Sequence, residues 1–335
     1  MGQKIRWGIL GCGNIANKFA ADLKWVNDAE LVAVASRSQT KAAELSTKYG
    51  ARHAFNSYEA LVACPEVDAV YIATPHGLHC EHTLLCIDHK KAVLCEKAFA
   101  LNSSQARKMI AAARKNDVFL MEAFWTKFLP QYQKVESLIK SGSIGEIKMI
   151  QADFGFKAPS PGPQRLRDPL LGGGSLLDIG IYPVFLAISL LGAPTEIQAA
   201  MQPYPSGVDE QIAIVMKFKN GALANLSSTF AAVTPVDATI TGSDGYIRMS
   251  NRFHNAVAIV EMIKSSVPAE IGAIHKEVGY GYQFEARHVV ECLQNGLKES
   301  PVMAHADSLL LIETLDKIRE KCGIRYPADD ESTSN

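Results

Sequence analysis

Between Ile5 and Leu23 the chain passes from an apolar run without polar alternation into a helical pattern, through Gly11-x-Gly13-x-x-Ala16. Few folds accept that junction. Ile5, Trp7, Ile9 and Leu10 read as a short buried strand and residues 15–23 as a helix. Gly11 permits the tight turn between them, Gly13 lets the backbone approach a pyrophosphate, and Ala16 lets helix and strand pack closely. The amides at the helix start, around Asn14 and Ile15, then face an anion, aided by the helix dipole. The stretch predicts a dinucleotide site.

A second strand, Leu31 to Ala35, closes a βαβ unit. A site for NAD usually places an acid after this strand to bond the ribose 2′-hydroxyl. Here the chain reads Ser36-Arg37-Ser38. A guanidinium and two hydroxyls suit a 2′-phosphate that a carboxylate would repel. NADP is therefore the expected cofactor, with NAD as the alternative.

Up to Phe124 strands and helices keep alternating, with expected strands near 53–55, 69–73, 92–95 and 118–121. Strands lacking polar alternation, separated by helices, predict a doubly wound parallel sheet covered on both faces. Beyond Trp125 the pattern changes to alternating runs at 147–156, 196–201, 211–218, 222–230, 237–241 and 246–249. Asn220-Gly221 and Ser243-Asp244-Gly245 are hairpin signals among them. The expectation is an α/β chain of two domains: residues 1–124 for the dinucleotide, and residues 125–327 as an α+β domain with a largely antiparallel open sheet. Residues 328–335 read as a frayed polar tail. With helices for only one face, the second sheet is expected to expose Ile214, Met216, Leu226 and similar residues, depending on register, on the other, and to pair through them.

At 335 residues with 47% hydrophobic and 21% charged side chains, the composition is that of a globular protein of about two domains. A net charge of −1 without a basic block gives no footing for nucleic acid or an anionic membrane surface. No run reads as a membrane span, and a strand within a few residues of Met1 leaves no room for a signal peptide. Seven cysteines without framework spacing suit a reducing cytoplasm. His76, His79 and His82, near Cys80 and Cys86, suggest a metal site. Their spacing places them on one stripe with no second ligand cluster, so no metal is expected.

Glu96-Lys97 ends the fifth strand, at the sheet edge where ligands bind in open α/β sheets. A lysine there can bond a substrate hydroxyl or favour the ionised form of a nearby acid. In the second domain, Asp178 and Tyr182 lie four residues apart in an apolar helix after Gly172-Gly173-Gly174, and so share a face. A phenol beside an ammonium can exchange a proton with an alcohol/carbonyl pair.

Three motifs join the glycine fingerprint: Thr74-Pro75-His76-Gly77-Leu78-His79, Glu96-Lys97, and Gly-Gly-Gly-x-Leu-x-Asp-x-Gly-x-Tyr over residues 172–182. Together they resemble the glucose–fructose oxidoreductase/inositol dehydrogenase (Gfo/Idh/MocA) family across nearly the whole chain. Residues 92–97, 121–126, 177–182 and 282–288 resemble its dimeric dihydrodiol dehydrogenase and D-xylose dehydrogenase branch. The resemblance implies a Rossmann domain holding the cofactor through Gly11, Gly13, Asn14, Ile15, Ser36, Arg37, Thr74, Pro75, His76, His79, Glu96 and Lys97. It implies proton transfer by Lys97 and Tyr182, substrate orientation by Asp178, and a pocket lined by Trp125 and Phe154. It also implies a homodimer, or a higher oligomer, built on the C-terminal sheet. Two departures stand out: Ala98 follows Glu96-Lys97 where most members have proline, and Tyr182 stands where many sugar-acting members have histidine. Tyrosine is what the dihydrodiol branch carries. The expected activity is NADP-dependent oxidation of a CH–OH group on a small sugar or cyclic diol, of the D-xylose or trans-dihydrodiol type. The alternatives are an NAD-linked inositol or amino-sugar dehydrogenase and a non-catalytic NADP sensor.

Overall fold

A computed structural model describes residues 4–264, 267–270 and 279–331. The chain divides into two compact units, Met1–Trp125 with Glu277–Ser308, and Thr126–Lys276 with Leu309–Asn335.

The first unit holds a six-stranded sheet. Its strands are β1 (Ile5–Leu10), β2 (Ala29–Ala35), β3 (His53–Phe55), β4 (Ala69–Ile72), β5 (Ala92–Glu96) and β6 (Leu120–Ala123), in the order β3-β2-β1-β4-β5-β6. Every pairing is parallel. Every residue of β4 and β5 is buried, which is why these strands lack alternation. Helices α1 (Asn14–Leu23), α2 (Gln39–Tyr49), α3 (Tyr58–Ala63), α4 (His79–Asp88) and α5 (Ser103–Asn116) connect them. The Asn102 side chain accepts the Gln105 amide at 2.9 Å and starts α5. The strand order reverses between β1 and β4, which sets Gly11 beside Ala73 and Thr74. Such a switch point, at the carboxyl ends of the strands, is where open α/β sheets take ligands.

The second unit begins with α6 (Pro130–Lys140) and holds an eight-stranded sheet. Its strands are β7 (Ile147–Gly155), β8 (Glu196–Pro203), β9 (Asp209–Lys217), β10 (Leu223–Thr229), β11 (Ala238–Gly242), β12 (Tyr246–Ser250), β13 (Ile259–Lys264) and β14 (Val267–Glu270). They run in the order β14-β13-β12-β11-β7-β10-β9-β8. Only β7 and β10 pair in parallel. One face is packed by a π-helical turn (Leu176–Gly180) and by α7 (Ile181–Leu191). Ile214, Met216 and Leu226 sit on this covered face, at most 1% exposed. That fixes the register the sequence leaves open, and places these three inward rather than on the exposed face. The open face instead carries Met149, Val215, Leu223, Tyr246 and Ile259, each more than a third exposed. Period-two alternation gives a strand two faces without saying which is inward.

Three further expectations change. Residues 277–308 belong with the first unit, so the second domain is not the continuous span 125–327. The cause is Asp22 on α1. Its buried carboxylate accepts the amides of Tyr280 (2.8 Å), Gly281 (2.8 Å) and Tyr282 (2.9 Å), at the start of α8 (Tyr282–Gln294). Such amides have no partner within their own helix. Within the span read as a frayed tail, residues 328–331 form a short helix (Ala328–Glu331). Asp329 anchors it, bonding Arg319 at 2.8 Å and the Tyr326 amide at 2.8 Å. The last four residues lie outside the described set. Finally, the helical run Pro169–Leu191 is long and apolar enough to cross a membrane, though 78% of its most apolar window is buried inside the fold. All seven cysteines are free thiols.

Candidate active site

The first unit's half of the site grows from the turn after β1. Gly11 has φ +98°, and a Cβ there would stand 2.9 Å from the Ala73 carbonyl oxygen, so no other residue fits. Gly13 precedes α1 in extended conformation with no side chain capping the helix. A Cβ on Gly13 would meet nothing within 4 Å. Uncapped amides at Asn14 and Ile15, with open space before them, fit a pyrophosphate. Ser36 and Arg37 follow β2. The Ser36 hydroxyl accepts the Ser38 amide at 3.2 Å, and Ser38 caps α2 through the Lys41 amide at 3.4 Å. Both hydroxyls keep a hydrogen to donate, and Arg37 is exposed beside them. Tyr58 stands against Arg37: burial pushes its phenol up, and the guanidinium opposes that shift. The Tyr58 ring meets His82 edge-on at 4.7 Å, and His82 Nδ1 lies 3.0 Å from Thr74 Oγ1. Burial and the charge of Arg37 lower His82 to about 4.

At the end of β5 the Lys97–Ala98 peptide bond is cis without proline. His79 is fully buried, with Nδ1 2.8 Å from the Ala98 carbonyl and Nε2 2.8 Å from that of Thr74. Burial lowers it to about 4. The neutral ring carries one N–H and donates to only one of these carbonyls; packed between the Ala98 and Thr74 backbones, it does not itself face a ligand. His76 is also buried, its ring 5.7 Å from that of His79. Lys97 is half-buried. Glu96 points inward and accepts a short hydrogen bond from the Tyr71 hydroxyl. Behind it, Glu285 on α8 is wholly buried, and neither carboxyl oxygen has a hydrogen-bond partner among the described residues. Burial first, then the charges of Glu96 and Asp22, raise Glu285 well above the usual carboxylate range, so it holds its proton. Glu122 accepts the Phe99 amide at 3.1 Å and is pushed up to about 7 by burial.

In the second unit, Tyr182 on α7 meets two rings. Phe154 on β7 lies at 5.8 Å and His254 at 4.6 Å, while Phe154 and His254 stack at 4.3 Å. Asp178 stands on the π-turn below Tyr182 and accepts from Arg165 at 3.1 Å. The sequence singles out Phe154, Asp178 and Tyr182, and the fold brings Phe154 against Tyr182. It does not single out His254 or Arg165, which lie in short segments without periodicity or motif. Trp125 belongs to the first unit, where it stacks on Tyr282 at 4.7 Å. Among the described residues one group could collect a metal ion, and it is not the histidine stripe. His53, Cys64 and Glu66 offer ligand atoms within 4.8 Å of one another. Arg52 at 2.9 Å and His53 at 2.7 Å already share the Glu66 carboxylate.

Residues 5–124 match the model of an oxidoreductase family with an NAD-binding Rossmann fold, and residues 132–248 that of the GFO/IDH/MocA C-terminal domain. The trans-1,2-dihydrobenzene-1,2-diol dehydrogenase of Xenopus laevis is 38% identical, over 96% of this chain and 99% of its own length. The Homo sapiens enzyme of the same name is 32% identical, over 97% and 99%. Among solved structures, a 3-ketoreductase from Actinomadura kijaniata in complex with NADP and TDP-benzene superposes with a TM-score of 0.84. It is 28% identical, over 96% of this chain and 98% of that one. An aldose–aldose oxidoreductase from Caulobacter crescentus gives 0.85 at 26% identity, over 96% and 98%.

Proposed function

From the premise that the chain belongs to the GFO/IDH/MocA family of NAD(P)-dependent oxidoreductases, we propose that it oxidises a CH–OH group of a small sugar or cyclic diol, with NADP as its cofactor. The trans-dihydrodiol and the D-xylose-type aldopyranose are the two substrate classes, and the names of its relatives favour the former. One observation carries the reading. Tyr182 presents its phenol next to the stacked rings of Phe154 and His254, one helical turn from a carboxylate held by Arg165. Aromatic faces suit the flat, apolar side of a ring substrate, and the carboxylate can accept a bond from a neighbouring hydroxyl.

The roles divide by chemistry. Bound NADP would supply the hydride acceptor for the carbinol carbon. Tyr182 takes the hydroxyl proton, and Lys97 is assigned to the same proton exchange. Asp178 orients the diol. Gly11, Gly13, Asn14 and Ile15 hold the pyrophosphate, and Thr74, Pro75, His76 and Glu96 shape the strand ends around them. His79 acts from behind, through backbone. Absorbance of reduced nicotinamide, followed across pentoses, hexoses, inositols and cyclic diols, tests the substrate class. No turnover with any carbinol would overturn the reading.

For the cofactor, Arg37→Ala is expected to erase a preference for NADP over NAD of about one to two decades, since a charge-assisted bond contributes roughly 1.5 to 3 kcal/mol. Isothermal titration with both dinucleotides measures it. Equal affinities in the unmutated protein would remove the assignment.

We place the dimer contact on the open sheet face. Leu223, Met149, Thr241 and Tyr246 fall in register across four neighbouring strands, with Val215 and Ile259 to either side. An apolar face of that kind calls for a cover, and a second copy of the chain supplies the same surface. Sedimentation velocity at micromolar concentration is expected to return a dimer. A monomer would end this reading.

A further inference from the structure

We propose that Asp209 is a positioning residue for the reaction: its buried carboxylate pins the start of the π-turn that carries Asp178 and runs into Tyr182. The inference rests on the reading of Tyr182 as the group that exchanges the substrate proton.

The geometry is local to the second unit. Asp209 opens β9 and is fully buried. Its Oδ2 accepts the Ser175 hydroxyl at 2.6 Å and the Leu176 amide at 2.7 Å. Ser175, itself fully buried, also lies 2.9 Å from the Ser228 hydroxyl on β10. The first amides of any helix lack intrahelical acceptors, and no side chain of the turn's own caps it. A carboxylate 33 residues further along the chain does so instead. A π-turn carries an extra residue per turn, so the direction in which Asp178 and Tyr182 point depends on where that turn begins. Asp209 and Ser175 set that beginning.

The glycine run in front has its reason here. Gly174 has φ +111°, and a Cβ on it would collide with Asp209 Oδ1. Gly173 is tied on both sides, its amide donating to the Asp168 carbonyl at 2.9 Å and its carbonyl accepting from the Tyr326 hydroxyl at 2.7 Å. The carboxylate and the glycines therefore form one device that acts through the placement of Asp178 and Tyr182.

Asp209 also gives the device a pH signature. Burial raises its carboxyl to about 6, against the bonds from Ser175 and Leu176. Tyr326 and Cys322 are the titratable neighbours within electrostatic reach, and burial pushes both up, leaving them neutral. Arg319, over the Tyr326 ring, is spent on Asp316 and Asp329. Above pH 6 the carboxylate accepts both bonds fully. Below it a proton weakens the tie, so turnover falls.

The test is Asp209→Asn in the full-length protein, with Ser175→Ala as the second variant should the first not fold. Expected results are a kcat lower by about tenfold, unchanged NADP affinity and KM, and loss of the additional fall in rate that Asp209 protonation causes below about pH 6. Amide hydrogen exchange should accelerate over residues 175–182 and nowhere else. That readout needs no substrate. Full kcat with unaltered exchange in both variants overturns the positioning role. Tyr182→Phe assayed alongside separates the two ideas: normal turnover there removes the reading of Tyr182, while collapsed turnover there, with Asp209→Asn at full rate, removes only the role of Asp209.

Discussion

Tyr182→Phe is expected to lower turnover by roughly 10² to 10⁴, the share of a positioned acid–base group, and to leave NADP affinity where it was. The substitution removes one oxygen. The ring stays packed against His254 at 4.6 Å and Phe154 at 5.8 Å, so the second unit keeps its shape. The turn at Gly11 and Gly13, proposed to hold the pyrophosphate, belongs to the other unit and its backbone is untouched. Steady-state rates with the best carbinol substrate, alongside fluorescence titration of NADPH, measure both quantities. Near-full turnover would make Tyr182 part of the aromatic wall and pass the proton to Lys97. His79 is no alternative, because both its ring nitrogens face backbone carbonyls.

Lys97→Met is expected to cost roughly 10² in turnover and to move the acid limb of kcat/KM to higher pH. The direction follows from charge. If the Lys97 ammonium acts on the phenol it favours the ionised form, and removing it then raises the pH at which that base forms. Methionine keeps most of the lysine stem, and the backbone at Ala98 remains packed against His79, so a folding defect is not expected. A limb that stays in place while the rate falls would limit Lys97 to bonding the substrate hydroxyl. An unchanged rate and an unchanged limb together would remove it from the mechanism.

The parts of this protein that could be read from sequence are those set by local chemistry. Gly11 and Gly13 announce themselves because a tight turn and a bare helix start need small residues at fixed spacing. β4 and β5 do so because both their faces are buried. Asp178 and Tyr182 stand out as polar groups inside an oily helix. What stayed hidden is what depends on distant partners. Asp209 looks like the first residue of any strand until Ser175 and Leu176 are found on it. Arg165 gives no sign that its partner lies 13 residues on. Glu285 sits in a first helical turn, where acids are ordinary, yet it is entirely enclosed. Ile214, Met216 and Leu226 alternate correctly, but alternation does not say which side the helices will occupy.

The clasp between Asp22 and the start of α8 governs the order in which this molecule can be finished. Its two sides are 258 residues apart. At a ribosomal pace of about 5 to 20 residues per second, Asp22 waits on the order of 10 to 50 s for the amides that will satisfy it. During that interval the nascent nucleotide-binding unit has α1 but not α8, and the whole second sheet is synthesised in the gap. The N-terminal unit is thus the first begun, yet its last residues emerge only after nearly all of the second unit, which then lacks only residues 309–335. A ribosome stalled before residue 280 leaves behind a β/α sheet with an uncovered flank, the kind of surface that chaperones hold.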